Sequence, residues 1–300
     1  MKKKTYLFAL MAMAFTLGSC SDNENGIGGE TSKYITVSTS IGNMTRVATD
    51  AKGGQTFEEG DEISVYAWTG DATVAPETRE RVVNNAINKL TNGSWISTPQ
   101  MLWKNNRDKH YFIGVYPISA ISDLSAGEYT FDVTKQTESD LLVAINKDGL
   151  SYNVDEQQPV PLTFTHVMAK LVVNLTYKNQ WGGIPTVEKV VVGNAAKEAT
   201  INYLTKVVTP STTAKEDFSL PEITENTKYV SVIIPQEEVK QLTIVIGGKN
   251  FVYDNGTPFK LESGKITTVN LEVGRDEIKL GDVKITDWEN GSTFSGEAIN

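Results

Sequence analysis

Few residues in this 300-residue chain could do chemistry: one cysteine, two histidines and several adjacent acids. Cys20 closes Leu17-Gly18-Ser19-Cys20, behind Lys2, Lys3 and Lys4 and a nearly continuous apolar run over residues 6–17. A basic leader, an apolar stretch and small residues before a cut form an export signal. The cysteine adds a specific chemistry: its thiol is acylated, and cleavage then leaves it as the new N-terminus. A secretory leader with an incidental cysteine is the plainer alternative. The run falls short of the roughly 20 residues that span a bilayer. Residues 1–19 are thus read as a lipoprotein signal peptide, and Cys20 as the point of lipid (palmitate) attachment to a membrane. Each acyl chain contributes about 0.8 kcal/mol per buried methylene.

Catalysis has little to work with. His110 precedes an apolar strand and His166 sits in Phe164-Thr165-His166-Val167, each without acids or a second histidine at ligand spacing. A zinc site is not expected from such a pattern, and the acids near Asp61 lack the spacing of a calcium loop. No serine stands in a Gly-x-Ser-x-Gly elbow. A glycosidase needs only two carboxylates, provided their environments push the two pKa values apart. The candidates are Glu58-Glu59, Asp61-Glu62 and Glu237-Glu238. The first two pairs flank Gly60 in a turn before a strand, where solvated acids are routine. The reading is no enzyme, no metal and no cofactor. Of the five tryptophans, Trp181 beside Gly182-Gly183 is the candidate for an exposed glycan contact, while Trp68 and Trp288 end alternating strands and read as core plugs.

The net charge is −9, and the leader holds three of the lysines and no acid. An acidic surface lacks the positive footprint that nucleic acid requires. With Cys20 acylated no thiol remains for disulfides, so the fold must rest on its hydrophobic core. Residues 20–33 are small, polar and glycine-bearing, a flexible stalk between lipid and fold.

The elements that must position these residues are strands. Beyond the stalk the hydrophobic period is two: Ile35, Val37 and Ile41 share one face, with Thr36, Ser38 and Ser40 on the other. Further strands are expected at 62–68, 110–116, 129–133, 141–145, 162–164, 170–176, 187–192, 229–234, 242–246, 250–253, 266–273 and 283–288. Turn residues punctuate them at roughly ten-residue intervals, as in antiparallel sandwiches. Val82, Val83, Ala86, Ile87 and Leu90 sit at near-helical spacing, so helix and strand both remain open there. Residues 205–227, rich in Thr and charge, read as a long loop. Acids, glutamines and prolines crowd residues 153–161. The folded part divides there into an N-terminal β-sandwich, 34–158, and a C-terminal one, 159–300.

Arg46, in Met44-Thr45-Arg46-Val47-Ala48, follows the first expected strand. A cut there by an arginine-specific protease would free residues 20–46. If that piece holds a strand of the first sandwich, its loss leaves a groove of unpaired backbone groups for an incoming strand. The alternative is an ordinary surface arginine.

Several blocks resemble the fimbrillin-like proteins of the Bacteroidetes. They are Thr45-Arg46-Val47-Ala48, Phe57-Glu58-Glu59-Gly60-Asp61-Glu62-Ile63, Tyr111-Phe112-Ile113-Gly114-Val115-Tyr116-Pro117 and Ser139-Asp140-Leu141-Leu142-Val143-Ala144. Pro161-Leu162-Thr163-Phe164-Thr165-His166-Val167-Met168-Ala169-Lys170-Leu171, Leu261-Glu262-Ser263-Gly264-Lys265 and Ile285-Thr286-Asp287-Trp288-Glu289-Asn290-Gly291 continue the set. The resemblance implies an all-β chain of two transthyretin-like antiparallel sandwiches in tandem, exported as a lipoprotein to the outer membrane and cell surface. It implies processing at an arginine, matched here by Arg46, and assembly with other fimbrial subunits by strand exchange, with residues 34–41 given up. A host or bacterial surface ligand would make it adhesive. It also favours a strand at 82–90. Ser21-Asp22-Asn23-Glu24 resembles the surface-sorting signal of Bacteroidetes lipoproteins, or is a plain solvated spacer. A surface glycan-binding lipoprotein is the alternative function. The short tail after Trp288 fits a stalk, a tip or an anchor subunit.

Overall fold

Alternating side chains need a sheet to separate them, and this chain forms nineteen strands among the residues described. The computed structural model describes residues 33–42, 56–153 and 158–288. In chain order the strands are β1 (Val37–Ile41), β2 (Glu62–Thr69), β3 (Arg81–Thr91), β4 (Ser94–Thr98), β5 (His110–Tyr116), β6 (Gly127–Thr130) and β7 (Leu142–Leu150). Then come β8 (Val160–His166), β9 (Ala169–Tyr177), β10 (Val187–Ala196), β11 (Glu198–Asn202), β12 (Val207–Pro210) and β13 (Lys215–Ser219). The last are β14 (Glu222–Thr224), β15 (Lys228–Ile233), β16 (Gln236–Ile246), β17 (Lys249–Leu261), β18 (Lys265–Val273) and β19 (Ile278–Asp287). Only two single 3₁₀ turns interrupt them, and the described residues contain no α-helix. The fold is all-β, as expected.

The strands make four sheets: β1-β8-β7-β5-β2-β3-β4, β13-β10-β16-β17, β12-β11-β6 and β14-β15-β9-β18-β19. The first is buried on both faces through its middle. Ile63, Val65 and Ala67 of β2 enter one core with Phe112, Ala144, Leu162 and Phe164. Tyr66 and Trp68 on the reverse face join a second core with Ile113, Val115 and Val143. That two-sided burial explains why 62–69 and 110–116 read as near-continuous apolar runs. The second core extends through Leu171, Val190, Ile233, Leu242 and Val269 of the later strands.

Three pairings cross the expected break at 158/159. β8 follows the break yet hydrogen-bonds to β7 and β1, while β6 precedes it and pairs with β11. The break in composition therefore does not coincide with a sheet boundary.

The ambiguous segment 82–90 is strand β3. Its buried side chains are Arg81, Val83, Ala86 and Asn88. The period of two slips once, at Asn85, whose φ is +57° and beside which the β2–β3 register shifts. One extra residue in a strand converts a spacing of two into three, which imitates a helix. Residues 205–227 are not one long loop, because β12, β13 and β14 punctuate them.

Candidate functional site

Residues 33–42 are held differently along their length. At the start the partner is the segment before β5: Trp103 N donates to Lys33 O at 3.0 Å, Ile35 N donates to Met101 O at 2.9 Å, and Tyr34 and Leu102 form an antiparallel bridge. From Thr36 onward the partner is β8, and the pairing is parallel. Val160 N donates to Thr36 O at 2.8 Å, Val37 to Ile41 run in register with Val160 to Phe164, and Gly42 N closes on Phe164 O at 2.7 Å. Strand β1 is thus the terminal strand of the seven-stranded sheet, and its N-terminal end is stitched to a second segment across the gap.

Its side chains alternate as the sequence demands. Ile35 is 1% exposed and Val37 6%, both in the core with Met101, Phe112, Leu162 and Phe164. Ile41 is half-buried against the same cluster. Burying such aliphatic side chains is worth about 1.5–3 kcal/mol each. Ser40 and Thr163 meet hydroxyl to hydroxyl on the opposite face.

Past Thr36, β1 borders a groove of about 720 Å³. Its far wall is the β3–β4 turn, from which Trp95 Nε1 donates to Thr39 Oγ1 at 3.0 Å. Phe57 closes the groove, edge-on to Trp95 and to Phe164 at centroid distances of 5.3 and 5.1 Å. A terminal strand that pairs with β8 in its sheet and is held by two side chains in the core is a removable part. Its loss would leave the β8 edge unpaired and two pockets empty.

The other expected residues fall as follows. Cys20 and Arg46 lie outside the described residues. Trp181 is half-buried in the turn Asn179–Trp181; its Nε1 donates to Val273 O at 2.9 Å, its ring packs on Phe251, and the Arg275 guanidinium lies 5.7 Å away. Its indole N–H is thus already used. His110 is fully buried: Lys104 N donates to Nε2 at 3.0 Å and Nδ1 donates to Asp108 O at 3.1 Å, so the ring organises a loop. Burial pulls its pKa down, and the Asp108 hydrogen bond offsets this only in part. His166 lies 2.8 Å from Asp140 and stacks on Trp288 with ring centroids 3.9 Å apart, while Lys170 Nζ sits 4.5 Å from the Trp288 centroid.

The paired acids have structural work. Asp61 accepts from Glu58 N, Glu59 from Asn92 N, and Glu62 pairs with Lys89. Glu237 and Glu238 pair with Lys260 and Lys240. Sequence reasoning missed Met101–Trp103 as the second partner of the first strand, and the indole–hydroxyl bond from Trp95. Neither leaves a periodic signal, since both depend on which distant edge the strand meets.

A fimbrillin-like family profile matches residues 45–288. Fim1C of Bacteroides uniformis, named as a candidate fimbrium subunit, is 26% identical over 326 residues, covering 99% of this chain and 100% of its own. The crystal structure of a candidate cell adhesion protein from Bacteroides uniformis has a TM-score of 0.63 at 20% identity, covering 86% of this chain and 100% of that one. One from Bacteroides ovatus has a TM-score of 0.62 at 18% identity, covering 86% and 98%. The chain belongs to the fimbrillin-like family of Bacteroidetes fimbrial and cell-adhesion proteins, which are structural rather than enzymatic.

Proposed function

We propose that the chain is a structural subunit of surface fimbriae, exported as a lipoprotein through Cys20, cut after Arg46 and assembled by strand exchange. In this reading its transthyretin-like sandwiches, whose strands cross the break at 158/159, stack along a fibre, and an arginine-specific protease frees the chain from the outer membrane. The observation that carries the reading is the seating of residues 33–42. Ile35 and Val37 fill core pockets from the terminal strand of the seven-stranded sheet, and Arg46 follows it within a few residues of sequence. One cut would remove the covalent tether of that strand to the rest of the fold, and its pockets and backbone partners would then accept an equivalent strand from another subunit.

Strand β19 supports a role as donor. Among the described residues it is the terminal strand of its sheet and pairs only with β18, and its Val283 and Ile285 are exposed. The test is limited proteolysis of the folded precursor with trypsin, followed by light scattering. A first cut after Arg46 and subsequent growth of oligomers support the reading. A chain that resists that cut, or is cut and stays monomeric, contradicts it.

A further inference from the structure

A second cleft, of about 760 Å³, opens between the end of β2, the start of β3 and the Leu102–Lys104 segment. Its charge is unusual for so acidic a chain. Arg81 lines it while only 8% exposed, its guanidinium donating to Ile121 O at 2.6 Å, Ser122 O at 2.5 Å and Asn84 Oδ1 at 2.9 Å. These partners are all neutral, and Nε is buried without a hydrogen-bond acceptor. Among the described residues no carboxylate comes within ion-pair distance of Arg81 or of Lys104, whose Nζ donates to Thr69 Oγ1 at 3.2 Å. The acids at the rim are used locally. Asp71 accepts from Thr73, and Glu80 from the backbone of Glu77. Asp123 acts on Arg81 through its charge without bonding to it, and a buried guanidinium whose hydrogen-bond partners are all neutral still favours a further anion arriving from outside.

The remaining wall is apolar. Leu102 is 50% exposed and Val74 60%, beside the half-buried ring of Trp103. Trp103 is wedged edge-to-face against His110 and Phe112, which fixes its plane. A rigid indole lining one cleft with aliphatic neighbours and with two cations that make no ion pair, Lys104 and Arg81, matches a ligand with an apolar ring face and a carboxylate. From this combination we infer that the cleft binds a carboxylated sugar, its ring against Trp103 and Leu102 and its carboxylate toward Lys104 and Arg81. The inference is independent of strand exchange.

The test is a fluorescence titration of the full chain with methyl β-D-glucuronide, methyl β-D-glucoside and acetate, repeated with Lys104→Ala. Lys104 is exposed, so this variant folds where a change at Arg81 could fail. Saturable glucuronide binding, at least about tenfold tighter than the glucoside or acetate and weakened about tenfold by Lys104→Ala, supports the site. No saturable binding, equal affinity for the glucoside, equal affinity for acetate, or an unaffected Lys104→Ala variant each overturns it.

Discussion

Ser40 Oγ and Thr163 Oγ1 lie 3.2 Å apart across the parallel pairing of β1 with β8, although 123 residues separate them in the chain. Parallel neighbours cannot be joined by a tight turn. The first strand therefore reaches its place only after β8 exists, and it can leave without disturbing a hairpin. That topology, more than any single contact, makes it separable.

The core anchors of β1 should dominate its retention. Ile35→Ala is expected to cost about 2–5 kcal/mol, because the pocket floored by Phe112 and Leu162 cannot collapse fully. Ile41→Ala, at a half-buried position, should cost distinctly less. Urea unfolding of the two variants measures the difference, and equal losses would contradict the assigned roles.

Trp95→Phe removes the Nε1 donor to Thr39 and keeps most of the packing on Phe57. A neutral hydrogen bond of this kind contributes about 0.5–1.5 kcal/mol. Amide exchange of residues 37–41 should accelerate while that of β5 stays unchanged. Uniform acceleration would show instead that Trp95 supports the whole sheet.

A methyl group at Gly114 would sit 2.6 Å from Phe164 Cζ, a ring in the core that seats β1. Gly114→Ala should therefore destabilise by about 1–3 kcal/mol through overpacking. The change should also loosen β1, read as faster exchange at Val37 and Ile41. An unchanged unfolding midpoint would mean that Phe164 can swing aside freely.

Burial holds the His110 pKa below its ordinary 6.5. The unfolded chain then binds the proton more readily than the fold does, so stability is complete at higher pH and declines as pH falls below about 6.5. Urea midpoints from roughly pH 8 to 5.5 should drop for the native chain more than for His110→Gln. A constant gap between the two across that range would contradict the assignment.

Much of the fold was legible because burial imposes period two. Strand β5 falls on the expected residues 110–116, and Leu171, Val173 and Leu175 of β9 point into the core as read. Asn85 shows where the reading stopped, since a bulge is one residue of irregularity that alternation cannot distinguish from a helical turn. Residues 34–41 were legible as a strand but their partners were not. Alternation fixes which face is buried, whereas the choice of Met101 and β8 is set by the whole sheet order. The cleft beside Trp103 was invisible for a related reason: Arg81 and Trp103 converge only through β3 and the Leu102–Lys104 segment.

The central claim, that residues 33–42 must leave their seat for subunits to join, is tested most directly by locking that strand. Ser40→Cys with Thr163→Cys, in a Cys20→Ser background, places two thiols where two hydroxyls already touch. After cleavage at Arg46, polymer growth is followed by light scattering with the lock oxidised and then reduced. The account predicts no growth while the disulfide holds and growth once it is reduced. Equal growth in both states would contradict it.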